Sequence, residues 1–153
     1  MSQTIESSRF GRIEIDPGTM IEFPEGLIGL RGVHYALIAR DAETPFLWLQ
    51  SLEDPSLALP VTNPHRFFPH FAVELIDEEA QRLDLDEAAA YDVYVTVRAG
   101  ASLHDFTANL KAPILIRSGR AYQVINQAAG CELRTPLFGD REAEGARATP
   151  SAC

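Results

Sequence analysis

Four histidines, two cysteines, two carboxylate runs, a glycine triplet and a few serines are the residues of this chain whose chemistry could matter. His65 and His70 lie five apart around Arg66-Phe67-Phe68-Pro69, while His34, His104, Cys131 and Cys153 are scattered. Zinc needs three or four ligands at short, repeated spacings, and nothing here completes such a set, so the histidines read as turn or surface residues. Gly26, Gly29 and Gly32 fall three apart. That matches neither phosphate-cradling glycine pattern, and no long helix follows to supply a dipole, so a packing turn is the better reading. Ser51 and Ser118 stand outside a G-x-S-x-G elbow. Asp77-Glu78-Glu79 and Asp84-x-Asp86-Glu87 lack the glycine and closing glutamate of a calcium loop. Their plain reading is a solvated helix start; their functional reading is an acidic patch, including Asp77, Glu78 and Glu79, that faces a basic partner. No catalytic triad, carboxylate pair or metal set stands out, and the expectation is a non-enzyme without cofactor.

The elements that would position these groups are mostly strands. Ser8 to Asp16, Met20 to Phe23, Tyr35 to Ala39 and Phe46 to Ser51 carry apolar residues in short runs bounded by turn residues. Asp16-Pro17-Gly18 is a turn, because Pro presets φ and Gly tolerates positive φ. Ser56 to Thr62 extends until Asn63-Pro64 ends it, and Phe71 to Ile76 reads as a further strand. Asp77 looks like an N-cap for a helix of about two turns, running to Leu83, with a second short turn at Asp86 to Ala90. Tyr91 to Arg98 is the clearest strand, and Ala108 to Leu110, Ile114 to Arg117 and Arg120 to Asn126 follow. Ser118-Gly119 makes a two-residue hairpin turn. Strands every 8 to 12 residues with little helix predict a mainly β fold. We expect one compact, antiparallel, barrel-like domain over residues 1–136 with one or two short helices, and a flexible tail over 137–153.

Composition narrows the function. The chain has 153 residues, 46% hydrophobic and 23% charged, enough for a packed core without metal or disulfide. Twenty-two acids face 13 bases, for a net charge of −9, and Lys111 is the sole lysine. Such a chain is repelled by phosphate backbones and anionic membranes, so direct nucleic-acid or membrane binding is disfavoured and a basic or amphipathic protein partner is favoured. The charge is uneven: residues 77–105 carry eight acids and two arginines, net −6, whereas residues 106–153 carry four acids and six bases, net +2. The N-terminal segment resembles no signal peptide, and two cysteines read as reduced thiols of a cytoplasmic protein.

Three segments together carry a resemblance. They are Ile21-Glu22-Phe23-Pro24-Glu25-Gly26-Leu27-Ile28-Gly29-Leu30; Pro45-Phe46-Leu47-Trp48-Leu49-Gln50-Ser51-Leu52-Glu53-Asp54-Pro55 with Leu59-Pro60-Val61 and Asn63-Pro64; and Asn109-Leu110-Lys111-Ala112-Pro113-Ile114-Leu115-Ile116 with Gln123-Val124-Ile125. In that order and spacing, from Phe10 to Leu133, the chain resembles the FliW family of bacterial flagellar assembly factors. It departs from the family pattern at Leu30 and Leu59, where Phe is favoured, and at Arg117, where Asn is. The two leucines keep an apolar side chain of similar size.

The resemblance implies a β-barrel-like fold, a cytoplasmic location and two partners: flagellin before its export, and CsrA, the RNA-binding regulator that represses flagellin translation. Free flagellin would occupy such a protein, and exported flagellin would release it to antagonise CsrA. Phe46, Asn109, Leu110 and Pro113 are the candidate apolar contacts, with Asp77, Glu78 and Glu79 as acidic ones. The competing reading is a hydrolase on a small β-barrel, which needs a concave site with perturbed titratable groups.

Overall fold

Period-two alternation of side chains explains most of the architecture. The computed structural model describes residues 3–8, 10–27, 29–30, 32–39, 44–82, 91–102 and 105–138. Among them lie β1 (Gln3–Ser7), β2 (Gly11–Ile15), β3 (Met20–Glu22), β4 (His34–Ile38), β5 (Phe46–Ser51), β6 (Ala58–Thr62), α1 (Asp77–Arg82), β7 (Asp92–Arg98), β8 (Thr107–Ala108), β9 (Ile114–Arg117), β10 (Arg120–Gln123) and β11 (Thr135–Pro136). β1 and β2 form a separate antiparallel hairpin.

The remaining strands run in the order β11-β8-β7-β6-β5-β4-β3-β10-β9, and a further β7–β9 pairing closes seven of them, β3 to β7 with β9 and β10, into a barrel. Closure abolishes the exposed edges of those seven strands. The pairings are antiparallel, as expected, with one exception: β10 meets β3 in parallel at Arg120↔Glu22. The short β8 and β11 extend the wall from the end of β7.

Alternation then sorts the core. Ile114 and Ile116 of β9 join Ile21, Phe23, Leu27, Tyr35, Leu49 and Val61 in one cluster. Leu115, between them, packs on the opposite side against Val124, Val73 and Leu75. β9 is buried on both faces, which explains its unbroken Ile-Leu-Ile run. Val95 and Val97 of β7 enter a third cluster with Phe67, Phe68, Phe71, Ala108, Leu110 and Leu137, while Tyr94 turns to the first.

Several expectations change. β1 was not anticipated, and Ser8 to Asp16 begins its strand only at Gly11. Phe71 to Ile76 is extended, with Phe71, Val73 and Leu75 turned inward, but it joins no ladder. Its backbone bonds go elsewhere: Glu74 N–H donates to Asn126 Oδ1, and Gln127 N–H donates to the Glu74 carbonyl. Asp77 is the first helical residue and not the cap, because the Ile76 carbonyl accepts from Glu79 and Ala80. Leu137 is fully buried and Phe138 packs beside it, so the folded region runs past Pro136. Cys131 is disulfide-bonded and not a reduced thiol. The turn at Asp86 to Ala90, His104, Cys153 and the tail beyond Phe138 lie outside the described residues.

Other expectations hold. Asp16 caps the turn at Pro17–Thr19 through Gly18 N–H. Ser118 and Gly119 both have positive φ, as a tight hairpin between β9 and β10 requires. No helix among the described residues is long and apolar enough to cross a membrane.

Candidate functional site

One mainly apolar concavity is built from the ends of strands and the loops between them. It encloses about 530 Å³, with Leu27 and Leu30 from the glycine loop, Leu59 from β6, and Ile125 and Leu133. Arg98, Lys111 and Arg134 line it as well, together with Thr96, Thr107, Asn109 and Gln123; among the described residues no carboxylate does. Ile125 is 37% exposed and Leu133 65%, two of the three large hydrophobic side chains left open among the described residues.

Local chemistry holds this groove in shape. Gly26, Gly29 and Gly32 all have positive φ, so the triplet is a packing turn. At Gly32 a Cβ would stand 3.5 Å from the Glu53 carboxylate, and φ of +94° would strain any other residue. Glu53 fastens this loop by accepting from Val33 N–H and His34 N–H, both at 2.9 Å, and it pairs with His34 Nδ1 at 3.0 Å. Those backbone bonds, followed by the His34 bond, hold its carboxyl below the usual carboxylate range.

The other wall is laced by amides. Asn109 Oδ1 accepts from Lys111 N–H and Ala112 N–H, and Gln123 Nε2 donates to the Ala112 carbonyl. Asn126, fully buried, donates to the carbonyls of Ala72 and Leu110 and accepts from Glu74 N–H and Ala128 N–H. A second buried amide, Gln50, accepts from Ser7 Oγ and donates to the carbonyls of Ser51 and Leu57.

The sequence-predicted contacts fare unevenly. Asn109 lines the groove, with its oxygen committed to the turn. Leu110 is 0% exposed and Pro113 is buried, so neither offers a contact surface. Both sit where the 109–113 turn packs into the core, which explains their apolar character without a partner. Phe46 is half-buried against Phe67, Phe106 and Phe138, with ring centroids 6.0 to 6.4 Å apart. Asp77 and Glu78 are exposed on α1 and Glu79 is half-buried, following exposed Glu74 and 49%-exposed Ile76. Ile125, Leu133 and the three cations were missed; the one signal for them was the positive balance of residues 106–153 in an acidic chain.

Two groups that a hydrolase could use, Ser51 and His65, are engaged in structure. Ser51 Oγ accepts from Glu53 N–H and Asp54 N–H, and Ser51 is 1% exposed. His65 Nε2 meets the Phe71 carbonyl at 3.0 Å. The concavity beside His34 and Glu53 is lined by Met20, Ile21, Glu22, Leu52 and Gly119, with no serine, threonine or cysteine among the described residues. Tyr35 and Tyr94 have phenols pushed up, chiefly by burial. Among the described residues no cluster of three His, Cys, Asp or Glu is arranged to hold a metal ion.

Known proteins resemble this chain along its folded length. The model of the FliW protein family matches residues 4–137. A flagellar assembly factor FliW from Syntrophus aciditrophicus (strain SB) is 36% identical over 143 residues, covering 90% of this chain and 89% of the relative. One from Syntrophomonas wolfei subsp. wolfei (strain DSM 2245B / Goettingen) is 34% identical over 143 residues, covering 92% of each. A crystal structure of the flagellar assembly factor FliW superposes with a TM-score of 0.77 at 29% identity, covering 90% of this chain and 98% of that one.

Proposed function

The chain belongs to the FliW family of flagellar assembly factors, and from that premise we propose that it is a stoichiometric binding protein of the cytoplasm with two partners. It holds flagellin before export, and when flagellin leaves it binds a CsrA-type regulator and relieves repression of flagellin synthesis. Holding a partner requires complementary surface and no turnover, and the engagement of Ser51 and His65 in backbone hydrogen bonds fits that role.

The observation that carries this reading is the opposite character of two sets of residues. Glu74, Asp77 and Glu78 stand exposed with half-buried Glu79 beside them in the chain, while the groove pairs open apolar side chains with Arg98, Lys111 and Arg134. An RNA-binding regulator presents basic surface. The acidic shelf would draw it in and repel the RNA it carries, and the groove remains for an amphipathic partner. Titration calorimetry with purified flagellin and with purified CsrA tests the proposal. Binding to both is expected, with the CsrA affinity falling as salt rises. Heat effects indistinguishable from dilution with both proteins would end it.

A further inference from the structure

We infer that the groove between the glycine loop, the end of β7 and the 109–112 turn is the seat of an acidic, apolar segment of a partner protein. Taken with the proposed function, on which this assignment of partner rests, that segment comes from flagellin and not from the regulator. Three observations point the same way.

The first is exposure. Monomeric proteins tolerate scattered surface apolar residues, but Ile125 and Leu133 open onto one concavity floored by buried Leu27 and half-buried Leu30 and Leu59. The volume of about 530 Å³ is in the range that takes a few large side chains.

The second is charge. In a chain of net −9, Arg98, Lys111 and Arg134 line this groove and, among the described residues, no carboxylate does, although Glu132 flanks Leu133 just outside. None of the three cations is in an ion pair with another described residue, whereas His34 and Glu53 are so paired. Three uncompensated cations around an apolar floor complement a segment whose apolar side chains are bordered by carboxylates. They oppose the basic surface of an RNA-binding protein, so charge assigns the two partners to two places.

The third is rigidity. Asn109, Gln123 and Asn126 satisfy the turn backbone behind the groove, and Glu53 fastens the loop in front of it. A preformed groove loses little conformational entropy on binding.

The test uses the full chain with two groups of variants, each checked for an unchanged melting temperature. Arg98→Glu with Arg134→Glu reverses the rim, and Leu133→Ser removes the most exposed apolar contact. Both variants should bind flagellin at least 10-fold more weakly than wild type in calorimetry, with CsrA binding within about 2-fold of wild type or tighter. Wild-type flagellin affinity in both variants would overturn the assignment, as would an equal loss for both partners. If the unmodified chain bound neither protein, the functional reading would fall, and the groove would be judged on its own by fluorescence anisotropy. The probes are two labelled peptides with identical leucine spacing and either glutamate or lysine at the polar positions. Binding of the glutamate peptide alone, lost in the Arg98→Glu/Arg134→Glu variant, upholds the groove chemistry. No binding, or equal binding of the two peptides, overturns it.

Discussion

The groove and the acidic shelf are built on opposite principles. The groove sits on strands and on turns whose backbone groups are tied by buried or half-buried amides. The shelf is α1, described over Asp77–Arg82, and the segment before it, with Asp77 and Glu78 in water. Fixed shape suits close, apolar docking; exposed charge acts at a distance and needs little fixed geometry. The two regions share one fastening. Asn126 reaches Leu110 behind the groove and both Ala72 and Glu74 on the approach to the shelf.

That shared fastening is the strongest way to break the comparison. Asn126→Ala leaves two carbonyls and two N–H groups without their partner in a buried place, at a cost of roughly 3 kcal/mol. For a folded unit of this size that is a fall of about 10 °C in melting temperature, read by calorimetry. A fall below about 1 kcal/mol would mean that each region is held by its own contacts.

The shelf should behave differently. Asp77→Asn, Glu78→Gln and Glu79→Gln together should change stability by about 1 kcal/mol or less, since these carboxylates only favour the first turn of a short helix. The same triple variant should weaken regulator binding about 3- to 10-fold at low salt and flatten its salt dependence. Large destabilisation with unchanged salt dependence would make the shelf a structural element and dissolve the contrast.

How much of this was legible in the sequence follows the same division. Barrel strands were readable because a short apolar run bounded by turn residues is a local signal: Phe46–Ser51 and Ile114–Arg117 were delimited to the residue. β1 escaped because Gln3-Thr4-Ile5-Glu6-Ser7 carries one apolar residue. Phe71 to Ile76 was read as a strand because its side chains do alternate; the missing ladder depends on Asn126, some fifty residues away, which no local pattern reveals. The shelf, a run of adjacent charges, was visible at once. The groove was not, because Leu27, Leu59, Arg98, Ile125 and Leu133 come from five separate stretches that only the fold brings together. Leu110 and Pro113 were taken for surface because they stand beside the right turn, on its buried side.

The smallest effect concerns the loop in front of the groove, and it appears only in acid. Bonds from Val33, His34 and the His34 ring favour ionised Glu53, so its folded pKa lies below the unfolded value. A depressed carboxylate contributes stability that is present above the unfolded value and lost as pH falls through the folded one. Melting temperature followed from pH 7 toward pH 3 should therefore fall less steeply in Glu53→Gln than in the parent chain. Parallel curves would show that the exposed pair with His34 adds nothing measurable, which many surface pairs do not.

The parallel meeting of β10 with β3 has a consequence in time. The ring is completed there by one registered pair, Arg120 with Glu22, and by Glu22 N–H donating to the Gly119 carbonyl at 2.8 Å. By contrast, β5 and β6 share five pairs across a short connection. Partners about a hundred residues apart pay the largest loop entropy for the fewest bonds. The chain is therefore expected to fold as a curling ribbon, from the β4-β5-β6 meander outward, and to become a ring last. Native-state hydrogen exchange should find its earliest opening at the same clasp, where the fewest bonds must part.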